Sequence, residues 1–208
     1  MKKLIILLLA LLGILIGCSH EEILEYNMFY RYENNEYIDI NFYKNGSEEN
    51  ANDILCLIDY WNTMLDHEHV NDTKNNLAAL NVNKYATLDA KLVELIEYTI
   101  DLSKSYKVVN PLYGTLKDLW DLHMITEELP TENECLTQIE VSLSTRVAIN
   151  DNDVHLLGDG LIDLDYIKKG FIGEKIKEYL ISKGIDRYVI NYNADLVLYG
   201  KNKNGGSF

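Results

Sequence analysis

The sequence lacks several patterns that would place it in a familiar class of enzyme or metalloprotein. It has three cysteines in 208 residues, and none forms a C-x-x-C pair or the cysteine–histidine spacing of a zinc site. It has no G-x-S-x-G around a serine nucleophile. The glycine-rich loops G-x-G-x-x-G and G-x-x-x-x-G-K-[ST] are also absent, which excludes nucleotide binding by those two devices.

Basic charge is scarce as well. Lysine and arginine number 19 against 33 aspartates and glutamates, which gives a formal net charge of −14. This balance excludes nucleic acid as a partner, because nucleic-acid-binding domains carry basic faces. An anion must therefore be bound by local devices, such as a helix N-terminus, a few lysines or a metal ion. The 47% of apolar residues, with 15 tyrosines, are enough for a buried core.

The first residues have the pattern of an export signal. Lys2 and Lys3 precede an apolar run over residues 4–16, which is too short for a membrane span of roughly 20 residues. The run ends in Leu-Ile-Gly-Cys18, which resembles a bacterial lipobox. We expect a signal peptide at 1–17, lipid attachment at Cys18 and a tether at 18–27, so that the protein lies on the outer face of the cytoplasmic membrane. The alternative is an uncleaved signal anchor with an incidental cysteine.

Hydrophobic periodicity predicts interleaved strands and helices, and hence a mixed α/β domain with a helix-covered sheet over residues 28–208. Alternation of Ile38, Ile40 and Phe42 with polar residues predicts a half-buried strand in a hairpin. The apolar run around Cys56 predicts a buried thiol. Further helices are predicted at 48–66, 77–80, 88–105, after Gly114, 130–138 and 165–183, and further strands within 146–164 and at "YVINY" and "ADLVLYG".

Two stretches contain candidate functional residues. In "DHEHVND", His67 and His69 flank a glutamate, and they either bind a metal with Asp66 or Asp72 or are simply exposed to solvent. In "IDLDYIKKGF" (162–171), a strand leads into a helix whose first amides favour an anion. Asp163 there either holds a magnesium ion against a phosphate or caps the helix.

The C-terminal segments resemble the signature of the FAD:protein FMN transferases, the ApbE-type lipoproteins. The family pattern is Asp-Leu-Gly-Gly-Ile-Ala-Lys-Gly, a helix, and a strand ending in Asn-x-Gly-Gly-Asp. "VVNPLYGTLKDLW" and "NNLAALN" resemble two upstream family motifs in the right order. The matching positions are Leu77, Leu80, Asn81, Pro111, Gly114, Leu116, Leu119, Trp120, Asp163, Leu164, Ile167, Lys169, Gly170, Asn191, Asp195 and Gly200.

The resemblance implies a helix-covered sheet of the ApbE-like T-fold type and a Mg²⁺-dependent reaction. In that reaction FMN passes from FAD to a threonine or serine hydroxyl of an acceptor flavoprotein subunit through a phosphoester bond. It implies FAD contacts at Val108, Val109, Asn110, Asp163 and Lys169, and a magnesium ligand at the backbone carbonyl of Tyr166. The alternative is a non-catalytic, membrane-anchored lipoprotein that uses the fold as a flavin-binding or scaffold module.

The sequence also departs from the family pattern. Asp165 and Tyr166 replace the two glycines of the signature and Lys168 replaces its alanine, so bulkier side chains stand where glycines allow close approach to a ligand. Asn110 replaces a family aspartate, and Asn193-Ala194 replaces a second glycine pair. The family continues with a His-Ile-x-x-Pro segment and an Asp-x-x-x-Thr metal motif that these 208 residues do not contain. We therefore expect a C-terminally truncated, partial domain.

Overall fold

The mixed α/β class is confirmed by a computed structural model, which describes residues 25–31, 36–106 and 108–208. The predicted signal peptide, Cys18 and most of the tether lie outside these residues. No helix among the described residues has the length and apolar character needed to cross a membrane. The described strands are β1 (Tyr26–Arg31), β2 (Tyr37–Lys44), β3 (Tyr85–Thr87), β4 (Arg146–Asn150), β5 (Asp153–Leu157), β6 (Arg187–Tyr192) and β7 (Leu196–Tyr199). The described helices are α1 (Glu48–Met64), α2 (Leu77–Asn83), α3 (Ala90–Ser105), α4 (Gly114–Thr126), α5 (Glu132–Ser144) and α6 (Asp165–Ser182).

The chain divides into two compact units, and the first contains the described residues up to Ala51 together with Leu180–Phe208. Its four-stranded antiparallel sheet has the order β1-β2-β6-β7, which confirms the predicted hairpin. Ile40 of β2 lies opposite Ile190 of β6, and both are buried. Because side chains alternate along a strand, this register places the apolar residues of β2 and β6 on one shared face.

The turn between β6 and β7 has an unusual backbone for its sequence. Asn193 and Ala194 both have positive φ values, 54° and 57°. Glycine is favoured at such left-handed positions because it has no Cβ atom to clash with the neighbouring backbone. The Asn191 side chain accepts a hydrogen bond from the Ala194 backbone N–H at 3.0 Å and supports the turn. An alanine therefore occupies a position that a glycine would adopt at lower cost.

The second unit, Asn52–Tyr179, contains a separate three-stranded sheet with the order β3-β5-β4. The predicted strand–turn–strand within 146–164 forms β4 and β5, but the three-residue strand β3 that pairs with β5 was not predicted. The strands therefore belong to two sheets rather than one. A strand of three residues is too short to show a recognisable alternation.

The predicted burial of the Cys56 thiol is wrong. Within α1, Ile54, Ile58 and Trp61 are buried, whereas Cys56 is exposed and unpaired. At 100° per residue, Cys56 lies about 200° around the helix from Ile54 and so faces away from the buried stripe. Cys135 is half-buried and is also a free thiol.

Candidate functional site

Two segments far apart in sequence meet in the second unit. The Gly114 backbone N–H donates to the Leu161 carbonyl at 3.1 Å, and the Asp163 backbone N–H donates to the Pro111 carbonyl at 2.9 Å. A Cβ atom at Gly114 would lie 2.8 Å from both the Cβ and the carbonyl oxygen of Leu161. Glycine is thus needed for this close approach, which sets the loop before α4 beside the turn that opens α6.

Asn81 fixes the same turn from the other side. Its amide nitrogen donates to the Ile162 carbonyl at 2.9 Å, and its amide oxygen accepts from the Ile162 N–H at 2.8 Å. The amide nitrogen also lies 3.4 Å from the His67 carbonyl, as a second acceptor. The Asn81 side chain is buried, so it satisfies backbone groups that water does not reach. The family motif includes Asn81, but its role could not be predicted from the sequence.

A cavity of about 430 Å³ opens between these segments. It is lined by Val108, Val109, Asn110, Tyr113, Leu116, Lys117, Trp120, Asp163 and Tyr166. The structure thereby brings together four of the five predicted FAD contacts and the residue whose carbonyl was assigned to magnesium. Lys169 is half-buried on α6 and is not among the lining residues. Its role in cofactor binding stays a prediction.

Asn110 and Asp163 each have a structural task beside the cavity. The Asn110 side-chain oxygen accepts from the Leu112 N–H at 3.0 Å, which shapes the loop before α4. The Asp163 side chain accepts from the Asp165 N–H at 2.8 Å, an Asx turn that provides a partner for the first amide of α6. Burial and the Asp165 charge raise the Asp163 pKa, although that N–H bond and the nearby His67 and Lys117 oppose the shift.

The tyrosine at the second glycine position of the signature reaches into the cavity. Tyr166 is part-exposed, and partial burial raises the pKa of its phenol. It is the second residue of α6, so its carbonyl belongs to the hydrogen-bond ladder of that helix. The assignment of this carbonyl to magnesium therefore stays a prediction.

His67 and His69, which the sequence grouped together, face different surroundings. The His67 side chain is 5% exposed, and its Nδ1 lies 3.8 Å from a carboxylate oxygen of Asp163 and 3.8 Å from one of Asp165. The His69 side chain is 80% exposed, and its Nδ1 lies 3.2 Å from the Asp66 carboxylate. The solvent-exposed interpretation therefore holds for His69 and not for His67.

The loop after α1 has a fixed shape that turns His67 inward. The Asp66 carboxylate accepts from the backbone N–H groups of Glu68 and His69 at 2.8 and 2.9 Å. Partial burial raises the Asp66 pKa, but these two bonds and the His69 charge outweigh it and leave the pKa lowered. The buried Asn76 caps α2 and donates to the carbonyls of Thr63 and His69. These hydrogen bonds therefore fix the conformation of the loop.

Lys117 is a site residue that the sequence did not reveal. Its ammonium lies 2.5 Å from the Asp121 carboxylate and 3.8 Å from carboxylates of both Glu68 and Asp165. Partial burial lowers the Lys117 pKa, but Asp121, Asp165 and Asp163 outweigh this effect and raise it. Lys117 is thus a charged ammonium on the cavity wall. The spacing of Lys117 and Asp121 along α4 was the available signal, since residues four apart share a helix face.

His67, Asp163 and Asp165 could hold a metal ion. Each offers one ligand atom, and these atoms lie within 4.8 Å of one another. The group differs from the predicted combination of His67 with His69, Asp66 or Asp72. Two of its members, Asp163 and Asp165, open α6, while His67 is 96 positions earlier. Only the fold brings them together.

The chain belongs to the ApbE family, whose model matches residues 37–208. Among solved structures, flavin transferase ApbE from Vibrio cholerae aligns with a TM-score of 0.67 at 16% identity, covering 88% of this chain and 62% of that one. The Pseudomonas stutzeri flavinyl transferase ApbE in its apo form gives a TM-score of 0.71 at 12% identity, with coverages of 88% and 60%. The ApbE protein from Thermotoga maritima gives 0.65 at 15% identity, with coverages of 81% and 57%.

The similarity to these structures shows the shared fold. This chain spans about three fifths of their length. Comparison with curated protein sequences found no match.

Proposed function

We propose that this protein is a flavin transferase that moves FMN from FAD to a threonine or serine hydroxyl of an acceptor flavoprotein subunit. In the reaction the hydroxyl oxygen bonds to the FMN phosphorus, the pyrophosphate P–O bond breaks, AMP leaves and the hydroxyl proton is released. The observation that carries the proposal is the cavity in which Val108, Val109, Asn110 and Asp163 line a common wall. These positions match the family's FAD contacts and come from segments 53 residues apart.

The residues around the cavity suit a pyrophosphate in three ways. Lys117 brings a positive charge to the wall, and the first amides of α6 favour an anion beside Asp163. Val108, Val109 and Trp120 supply apolar surface for the flavin ring. Phosphoryl transfer depends mainly on positioning and charge neutralisation, and these groups provide both.

Magnesium fits the oxygen donors at this site. Mg²⁺ prefers hard oxygen ligands, and Asp163, which lines the cavity, and Asp165 each offer one carboxylate oxygen to a single ion. The resemblance assigns a further ligand to the Tyr166 carbonyl. When bound, the ion would neutralise pyrophosphate charge. Asp163 would orient the ion from the turn that leads into α6. Lys169 stays a proposed FAD contact.

The bulky residues at the glycine positions of the signature favour a second function. Asp165 and Tyr166 stand at these positions, and the Tyr166 residue lines the cavity where a glycine would leave space. A chain that binds FAD without transferring FMN would act as a flavin-binding or scaffold module. Binding and transfer must therefore be measured separately.

The experiment incubates the purified chain with FAD, Mg²⁺ and an acceptor subunit that carries a threonine or serine target. We expect flavin fluorescence on the acceptor after denaturing electrophoresis, together with one AMP released per flavin transferred. FAD binding without transfer, seen by titration of flavin fluorescence, would select the binding-module function. The flavin-transferase and binding-module proposals would both be overturned if neither this chain nor a version extended with the family's Asp-x-x-x-Thr segment bound FAD.

A matched pair of variants tests the assignment to this cavity. Asp163→Asn keeps the oxygen that accepts from the Asp165 N–H while removing the charge, and we expect it to abolish transfer. Asp101→Asn, on the exposed surface of α3, should leave transfer unchanged. Equal loss in both variants would contradict the assignment.

We also propose lipid attachment at Cys18 and anchoring to the outer face of the cytoplasmic membrane, supported by the lipobox-like sequence. Cys18→Ala should abolish incorporation of a labelled fatty acid and release the protein from the membrane fraction. Cys56→Ala, which removes an exposed thiol elsewhere, is the control. Continued labelling of the Cys18→Ala variant would show that the lipobox interpretation is wrong.

A further inference from the structure

We propose that His67, Asp163 and Asp165 form a binding site for a divalent first-row transition-metal ion, such as Zn²⁺, and that the site prefers such an ion over Mg²⁺. The inference concerns metal selectivity and does not depend on flavin transfer. It rests on the burial of His67, the spacing of the three ligand atoms, the local charge and the donor types.

The burial of His67 supports a ligand bound at its imidazole ring. Its side chain is more than nine-tenths buried, and its Nε2 has no hydrogen-bond partner among the described residues. The nearest charged atom to Nε2 is a Glu68 oxygen at 3.6 Å, and Nδ1 is 3.8 Å from Asp163 and Asp165. All three distances are longer than a hydrogen bond allows. Nδ1, which faces Asp163 and Asp165, thus also lacks a hydrogen bond among the described residues, and an ion bound there would give this buried nitrogen a partner. Nε2 would then carry the ring proton, with the Glu68 carboxylate as the nearby acceptor.

The spacing of the ligand atoms suits one small ion. Two ligands about 2.1 Å from a tetrahedral ion lie roughly 3.4 Å apart. The observed 3.8 Å from His67 Nδ1 to each carboxylate oxygen is only slightly longer, so small side-chain rotations would close the site. Three protein ligands leave a coordination position open. That arrangement is typical of metal sites that also bind water or a substrate.

The local charge also favours a cation. The carboxylates of Asp163, Asp165 and Glu68 approach His67 from two sides. The nearby ammonium of Lys117 is already bonded to a fourth carboxylate, that of Asp121. Carboxylates therefore outnumber the ammonium here, and a divalent ion would neutralise the excess.

The donor types decide which ion is preferred. Imidazole nitrogen suits Zn²⁺, Fe²⁺, Ni²⁺ and Cu²⁺, whereas Mg²⁺ prefers oxygen ligands in a near-octahedral shell. His67 therefore adds affinity for a transition ion and little for Mg²⁺. The two aspartates alone would not make this distinction.

The test is calorimetric titration of the purified, metal-stripped full chain with ZnCl₂ and, separately, with MgCl₂, in the absence of FAD. We expect one Zn²⁺ per chain, bound at least tenfold more tightly than Mg²⁺. His67→Gln and Asp165→Asn should each weaken Zn²⁺ binding by about tenfold or more, since loss of a ligand costs at least as much as loss of an outer-shell partner. His67→Gln should leave Mg²⁺ binding almost unchanged.

Two controls match the ligand types. His69→Gln removes a neighbouring exposed histidine, and Asp101→Asn removes an exposed carboxylate on α3. Both should leave Zn²⁺ affinity unchanged. Circular dichroism of the metal-free variants checks folding, and Asp165→Asn, 42% exposed, provides the test if His67→Gln does not fold.

Zn²⁺ binding that is equal in wild type, His67→Gln and Asp165→Asn would overturn the proposal, as would the absence of Zn²⁺ binding by the wild-type chain. Absorption of the Co²⁺-loaded chain is a second readout. We expect visible d–d bands that the His67→Gln variant reduces and the His69→Gln variant retains. Because no flavin is present, a negative result would leave the proposed flavin transfer standing.

Discussion

At the scale of single residues, a few buried polar side chains position the candidate site. Asn81 bonds both backbone groups of Ile162, and Asn76 fixes the loop that carries His67. Asp89 caps α3 through the Lys91 N–H and also accepts from the Tyr60 hydroxyl, in each case at 2.8 Å. Asn81 and Asn76 are buried, so each replaces water at backbone groups and its removal is costly.

Replacing Asn81 with alanine should destabilise the protein strongly. Two buried backbone groups of Ile162 would lose their partners, at about 1–3 kcal/mol each. We expect a loss of roughly 2–5 kcal/mol in the free energy of unfolding, measured by urea denaturation. Asn75→Ala, which removes an exposed side chain bonded to the Thr87 carbonyl, should cost under 1 kcal/mol. Similar losses in the two variants would contradict the positioning role of Asn81.

The Tyr60 hydroxyl should make stability depend on alkaline pH. Burial, followed by the hydrogen bond and charge of Asp89, raises the Tyr60 pKa from 10.0 to about 12. A pKa raised in the folded state adds stability below the unfolded value, and this stability is lost as pH rises from about 10 to about 12. Tyr60→Phe should therefore cost about 1 kcal/mol at neutral pH, and its deficit against wild type should shrink above pH 10.

Urea unfolding of both proteins across this pH range measures the difference. Tyr98→Phe removes an exposed phenol from α3 and serves as the control. A Tyr60→Phe deficit that stays constant, or grows, between pH 10 and pH 12 would contradict the bond to Asp89 as the source.

At the scale of elements, local sequence accounts for the ends of several helices and turns. Thr131 and Glu134 form a reciprocal capping box at the start of α5. Gly184 follows the end of α6 and has a left-handed backbone, with φ of 67°. Its N–H donates to the Ile181 carbonyl, and the Ile185 N–H donates to the Leu180 carbonyl. This pattern is a Schellman motif, and it ends α6 one residue before the predicted end at 183.

The β6–β7 turn offers a stabilising substitution. Ala194 has a left-handed backbone, which costs roughly 1 kcal/mol or more for a residue with a Cβ atom. Ala194→Gly should raise the free energy of unfolding by about 0.5–1 kcal/mol, after the entropy that glycine loses on folding is subtracted. Thermal unfolding measures the gain. Ala148→Gly, inside β4, should instead destabilise, and a loss in the Ala194→Gly variant would argue against a left-handed backbone at Ala194.

At the scale of the whole molecule, the candidate site exists because distant segments meet. The seam formed by Gly114 and Leu161 aligns the loop before α4 with the turn before α6. The same turn is bonded to Asn81 and approaches His67. A change in this seam should therefore alter the cavity even where it leaves the helices intact.

Gly114→Ala tests the seam against Gly170→Ala. A Cβ at Gly114 would clash with Leu161, whereas a Cβ at Gly170 would meet nothing within 4 Å. We expect Gly114→Ala to cost about 1–3 kcal/mol and to weaken FAD binding. Gly170→Ala, inside α6, should gain up to about 1 kcal/mol from helix propensity. Urea unfolding and FAD titration of both variants measure these effects, and an unperturbed Gly114→Ala variant would contradict the tight seam.

The local sequence was sufficient to predict most of the helices and strands and to identify the family. Periodicity located the long helices and the buried stripe of α1, and ordered motifs identified an ApbE-type chain. The resemblance also assigned an FAD or magnesium contact to five of the residues that line the cavity. These features are local, because helix faces, caps and motif spacing depend on residues close in sequence.

The tertiary structure decided what those residues face. It separated His67 from His69, placed Lys117 on the cavity wall, and left Lys169 off it. It also divided the strands between two sheets and turned Cys56 outward. No local sequence pattern predicts these features, because His67 is nearly 100 residues from Asp163 and Asp165. The hydrogen bonds of Asn81 and Gly114 that bring the segments together form only when the chain folds.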